Sequence, residues 1–245
     1  MSDPCVKSLF FRVVPGDGYE FDQPAPTSIT TSIGALEISV DGASIELTQD
    51  FTTVEEARTA LQPFIDGYEI SSGLQSPNGC RQLRLFYYRG EFAREIDSDG
   101  KGTKRAQRIL AMPSQPSSPA PVTAFPIPPT SFSAPLEVVE MWNRWEGYCL
   151  GREPLPQMAY FCLTQLEHMG GTKGRSGRIR AASQFCIDKV VLDELGNLVS
   201  EYGDSSEARK ATRDHPRAFT RNERVWMETI VKQIIQLPKR DPEER

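Results

Sequence analysis

ALEISVDGASIELT, residues 35–48, decides how the first half of the chain is read. Apolar and polar residues alternate on both sides of Asp41-Gly42, a dipeptide suited to a two-residue hairpin turn because both positions need positive φ. Pairing outward from that turn sets Val40 against Ala43, Ile38 against Ile45 and Leu36 against Leu47. These residues share one face, and Glu37, Ser39, Ser44 and Glu46 take the other. A hairpin with one packed side and one wet side is expected.

Strands and one helix extend from this hairpin in both directions. Leu9–Val14 is a β-rich run closed by Pro15-Gly16-Asp17-Gly18. Thr53 and Glu56 form a capping box, each able to satisfy a free backbone N–H in a first helical turn. Val54, Ala57, Leu61 and Phe64 or Ile65 follow at helical spacing, with Pro63 expected to end or kink the helix. Leu83–Tyr88 and Glu91–Ile96 then read as a second strand pair around Arg89-Gly90. Residues 1–112 are expected to form a small antiparallel β-sheet with one helix.

Eight prolines between Pro113 and Pro135 exclude a helix there and make a poor central strand. Residues 113–135 are expected to be an extended surface connector, with P-x-x-P spacings at Pro113/Pro116 and Pro126/Pro129. Beyond it the period becomes helical. One stripe is Val138, Met141, Trp142, Trp145 and Tyr148, and the next is Met158, Phe161, Cys162, Leu166 and Met169. A third runs through Ile179, Ala182, Phe185 or Cys186, Val190, Leu195 and Leu198. The last begins at a capping box, Thr220 and Glu223, and carries Val225, Trp226, Ile230 and Ile234. Residues 136–245 are expected to form an all-α, four-helix bundle-like half, which makes the fold class α+β.

Composition narrows the function classes. With 38% hydrophobic and 25% charged residues, the chain is ordinary for a globular protein. No segment reaches the roughly 20 apolar residues of a membrane span, and the N-terminus lacks the basic start of a signal peptide. Five scattered cysteines without C-x-x-C spacing suit a reducing cytoplasm, so a cytoplasmic location is expected. Residues 1–134 hold 11 Lys and Arg against 16 Asp and Glu, and residues 135–245 hold 17 against 17. The acidic first half disfavours bulk nucleic-acid binding there.

The segments FPIPPTSF (125–132), MWNRWEGYCLGREPLPQMAYFCLTQLE (141–167), and ARKA (208–211) with RNERVWMETIVKQII (221–235) resemble a family of uncharacterised bacterial proteins of about this length. The resemblance covers mostly the C-terminal half. It implies bacterial origin and a cytosolic location, and it brings no activity with it.

The candidate chemistry is sparse. The acidic turn Glu95–Gly100 starts like a calcium loop, but its twelfth position is Ala106 where a bidentate Glu is needed. Two histidines, His168 and His215, exclude a multi-His metal site, and no cofactor motif is present. The loop Gly170–Gly177 precedes a helix, where free N–H groups suit anions, and Lys173, Arg175, Arg178 and Arg180 are candidate phosphate or RNA contacts. No phosphate-loop pattern is present there, so a plain interhelical loop is the favoured reading. Trp142 and Trp145, one helical turn apart, read as core anchors rather than a base-stacking platform.

Residues 207–224 carry Arg209, Lys210, Arg213, Arg217, Arg221 and Arg224 among three acids, and Lys210, Arg213 and Arg217 are further candidate contacts. Five residues separate Arg209 from His215, and this spacing resembles that of HEPN-type helical ribonucleases. The resemblance implies metal-free chemistry across a dimer. His215 would be the general base on a ribose 2′-hydroxyl, and Arg209 would hold the phosphate. Pro216 disfavours a continuous helix there, and a solvated basic loop is the favoured reading. The leading expectation is therefore a bacterial cytosolic protein that acts by binding an unidentified protein partner. The helical half is a candidate homodimer surface, and the metal-independent ribonuclease is the alternative.

Overall fold

In the computed structural model, the described residues are 6–31, 34–76, 79–92, 119–127, 134–171, 174–201 and 218–236. They form an α+β structure in two compact units. Met1–Ser72 with Arg81–Ser131 make the first unit, and Gly73–Cys80 with Phe132–Arg245 make the second.

The first unit is built on strands β1 (Val6–Pro15), β2 (Tyr19–Phe21), β3 (Thr27–Thr30), β4 (Gly34–Ser39) and β5 (Gly42–Phe51). Helix α1 (Val54–Gln75) and strands β6 (Leu83–Phe92) and β7 (Ala120–Val122) follow. Five strands make an antiparallel sheet in the order β3-β4-β5-β1-β6, and β2 pairs in parallel with β7. Alternation along β1 turns Leu9, Phe11 and Val13 inward beside Leu36, Ile38, Ala43 and Ile45. Helix α1 covers that face with Ala57, Leu61, Phe64, Ile65 and Tyr68. Each large aliphatic side chain buried there contributes about 1.5–3 kcal/mol.

The hairpin forms, but its turn lies one residue earlier than expected. Val40 and Asp41 make the loop, so Ser39 pairs with Gly42, Ile38 with Ala43 and Leu36 with Ile45. The Ser39 hydroxyl holds this turn, accepting the Asp41 N–H at 3.3 Å and donating to the Gly42 carbonyl at 3.2 Å. The slip changes every cross-strand partner by two positions, so the faces keep their residues. Only Val40 changes sides in effect, because the loop leaves it 43% exposed.

Three further expectations change. The Thr53–Glu56 capping box starts α1 as expected, with both reciprocal bonds at 3.2 Å. Pro63, however, neither ends nor breaks the helix, which runs on to Gln75. A proline inside a helix costs about 3 kcal/mol, and here burial of Phe64, Ile65, Tyr68, Ile70 and Leu74 outweighs it. Likewise Arg89-Gly90 is no turn. Strand β6 passes straight through it along β1, with Leu9 opposite Gly90 and a bulge opposite Phe10/Phe11. The proline-rich stretch also enters the fold between residues 119 and 127. Ala120–Val122 pair with Tyr19–Phe21, Phe125 is buried against Phe21, and the Tyr68 hydroxyl donates to the Pro126 carbonyl at 2.8 Å.

The second unit contains α2 (Leu136–Cys149), α3 (Leu155–Met169), α4 (Gly174–Phe185), α5 (Lys189–Glu201) and α6 (Arg221–Gln236). Helix α3 is central, packing against α2, α4, α5 and α6. The first two stripes are as expected: Trp142 and Trp145 are buried, as are Met158, Cys162 and Leu166. The Thr220–Glu223 capping box opens α6. The third stripe is two helices rather than one, so the described residues of this unit hold five helices where four were expected. Cys186 takes a φ of 54° and breaks the run, and the Asp188 carboxylate restarts it by accepting the Val190 N–H at 2.8 Å. Along the expected stripe, Ile179 in α4 and Val190 in α5 are exposed, while Ala181, Leu192 and Leu195 are buried. Among the described residues, no helix is long and apolar enough to cross a membrane.

Candidate functional site

Beside its apolar stripe, α1 carries a second stripe at helical spacing: Arg58, Gln62, Ile65, Asp66 and Glu69. In the first unit this stripe faces the outer edge of β6. With Arg81, Arg84, Phe86, Tyr87 and Phe11 it encloses a cleft of about 290 Å³.

The floor of the cleft is an ion pair removed from water. Glu69 is buried, and its two carboxylate oxygens have separate partners. One accepts from the Arg81 guanidinium at 2.6 Å, the other from the Leu85 backbone N–H at 2.6 Å. The carboxylate thus takes the place of a neighbouring strand for an edge N–H that would otherwise be open to chance pairing. Burial pushes the Glu69 carboxyl above its ordinary range, against the opposing pull of Arg81 and the Leu85 N–H. Asp66, one turn earlier and half-buried, is also raised by burial, while the Gln62 amide donates to it at 3.0 Å.

The rim is cationic and aromatic. Arg58 lies 4.5 Å over the Tyr87 ring and pairs with Glu55 at 3.1 Å. Tyr87 in turn meets Phe11 edge-on, with ring centroids 5.9 Å apart. Arg84 sits 3.6 Å from Asp17, and Phe86 is 51% exposed. Among the described residues, the lining holds no Cys, His, Ser or Thr. It combines guanidinium groups at the rim, carboxyls raised by burial inside, and an aromatic wall.

Of the residues singled out in the sequence, those described do not line this cleft. Arg209, Lys210, Arg213, His215, Arg217 and Lys173 lie outside the described residues, as does the side chain of Arg175. Arg178 is described, and the fold engages its charge. Its guanidinium donates to Glu167 at 2.7 Å and to Asp193 at 3.4 Å, bracketing α3, α4 and α5. It also lies against Gly196, where it leaves no room for a Cβ. Arg180 is exposed on α4. Among the described residues, no group of His, Cys, Asp and Glu is placed to hold a metal ion.

Sequence reasoning missed Arg58, Asp66, Glu69, Arg81 and Arg84. One signal was available: Glu69 lies between Tyr68 and Ile70 in a run that is otherwise buried, and a charge in such a run requires a partner. No family model matches this chain, and neither a curated protein nor a solved structure is similar to it.

Proposed function

We propose that the protein acts by binding, and that the cleft between α1 and β6 receives the C-terminal carboxylate of a partner polypeptide. The observation that carries this reading is the placement of Arg58 and Arg84 at the rim of a concavity with an aromatic wall. Guanidinium groups match a carboxylate in planar, paired hydrogen bonds. The exposed Phe86 and the Tyr87 ring supply an apolar wall for the residue bearing the carboxylate.

Titrating the full chain with short peptides, made once with free C-termini and once as amides, tests the reading. Free-carboxylate peptides bind and their amides do not, and Arg58→Ala and Arg84→Ala each weaken binding about tenfold, the equivalent of one charge-assisted bond. Equal binding of both peptide forms, or binding indifferent to both substitutions, removes the proposal.

The alternative is a metal-independent ribonuclease using Arg209 and His215, supported by their spacing within a basic segment. It requires the protein to cleave structured RNA in EDTA and the His215→Ala variant to lose that cleavage by a factor of at least about 100. Cleavage by neither protein, or equal cleavage by both, ends that reading.

A further inference from the structure

Two cysteines about 70 positions apart meet in the second unit. Cys80 lies just after Gly79, in the segment that joins α1 to β6, and Cys149 ends α2. Gly79 adopts a φ of 68° and is held by the Trp145 indole, whose N–H donates to its carbonyl at 2.7 Å. The Cys149 thiol lies 3.7 Å from the same carbonyl oxygen, and a Cβ added at Gly79 would stand 3.2 Å from the Cys149 sulfur. Glycine is required here both for its φ and for the close approach of α2. The result sets the Cys149 thiol beside the backbone that leads directly into Cys80. Both are reduced; Cys80 is buried and Cys149 half-buried.

We infer that Cys80 and Cys149 form a reversible disulfide when the protein meets a small-molecule disulfide of the glutathione type. Cys149 is the more accessible sulfur and reacts first. Its thiolate attacks one sulfur of the oxidant, the oxidant's S–S bond breaks, and one thiolate leaves, giving a mixed disulfide on Cys149. The Cys80 thiolate then attacks the Cys149 sulfur and expels the second thiolate. The protein loses two electrons and the oxidant gains them, and the two thiol protons end on the two released small thiols. A dithiol reductant reverses both steps. The link would fasten Gly79–Cys80 covalently to the end of α2, where the Trp145 hydrogen bond now holds it.

The groups facing Cys149 set the pace. The hydrogen bond with Cys80 and burial push its thiol well above the ordinary range, Lys232 pulls the other way, and Glu228 adds to the rise. Little thiolate is present at neutral pH, so the exchange is slow and responds to sustained oxidation rather than to a brief pulse.

The test uses the reduced full chain, incubated for hours with excess oxidised glutathione, then alkylated, cut with trypsin and read by mass spectrometry. Trypsin cleaves after Arg81 and Arg152, which places the two cysteines on separate peptides. A cross-linked pair of these peptides, about 2 Da lighter than their sum and released by dithiothreitol, is the expected result. It forms more slowly in urea-unfolded protein, where the loop between the cysteines is open. In Cys80→Ser, Cys149 keeps its glutathione, and in Cys149→Ser, no link forms. The wild-type result stands even if either variant folds poorly. Three outcomes overturn the inference in the wild-type protein: glutathione retained on Cys149 with Cys80 still alkylable, cross-linking of either cysteine to a different one, or an unmodified pair while the exposed Cys186 is glutathionylated.

Discussion

Glu69→Ala lowers the unfolding free energy of the protein by about 3–5 kcal/mol, the range for removing one partner of a buried ion pair. The substitution takes the carboxylate away from Arg81 and leaves the Leu85 N–H without its acceptor inside the fold. Glu69→Gln costs less, because its amide oxygen still accepts the Leu85 N–H. Urea titrations of the variants, followed by a probe in the first unit, measure both. A loss under about 1 kcal/mol for Glu69→Ala would mean that water reaches the pair and that the cleft floor is open.

The same residue carries a pH signature. Because the folded carboxyl is raised above its ordinary value of 4.5, the folded state holds the proton over a pH interval in which the unfolded chain has released it. Stability therefore falls as pH rises from 4.5 to the folded value and is flat with respect to this group above it. Glu69→Gln has no such proton, so the difference between wild type and this variant shifts against the wild type across that interval. A difference that moves the other way would show that the bonds from Arg81 and Leu85 outweigh burial.

Trp145→Ala is expected to destabilise the second unit by about 3–5 kcal/mol, the usual cost of emptying a buried tryptophan site. Trp145 is buried, and its ring lies 5.8 Å from that of Tyr148, with the Lys232 ammonium 5.2 Å from its centroid. Trp145→Phe keeps most of the packing but removes the donor to Gly79, and costs about 1–3 kcal/mol for the carbonyl left behind. The two variants together separate packing from hydrogen bonding in urea or thermal melts. Equal losses would make the indole N–H the dominant element, and a negligible loss in Trp145→Phe would make it dispensable.

Local chemistry was readable wherever a feature is complete within a few residues. Thr53–Glu56 and Thr220–Glu223 start their helices because both members of each capping box lie within one turn. The stripes of α2 and α3 are buried as their period indicates. The faces of the β4–β5 hairpin survived an error in the turn, since a slip of two in pairing preserves side-chain parity.

Features that depend on distant partners were not readable. Whether Pro63 breaks a helix depends on how much burial the following turns gain, and the sheet that buries them comes from strands on either side in the sequence. Whether Arg89-Gly90 turns or runs straight depends on β1 offering a long edge, some 80 residues earlier. The break at Cys186 has local cues, but apolar residues on both sides kept an apparent period running through it.

The candidate sites lie wholly in this second category. Arg58, Asp66 and Glu69 occupy a polar stripe that looks like an ordinary solvated helix face, and only the edge of β6, with Arg81 and Arg84, makes it a cleft. Cys80 and Cys149 show no motif because two strands, the proline-rich stretch and α2 lie between them in the sequence. By itself, the sequence determined the fold class, the capped helix starts and the inward faces, all of which arise from residue periodicity and hydrogen bonds within a turn. Tertiary structure alone decided where the strands continue, which charges are buried together and which thiols meet, because those energies exist only once distant segments exclude water from one another.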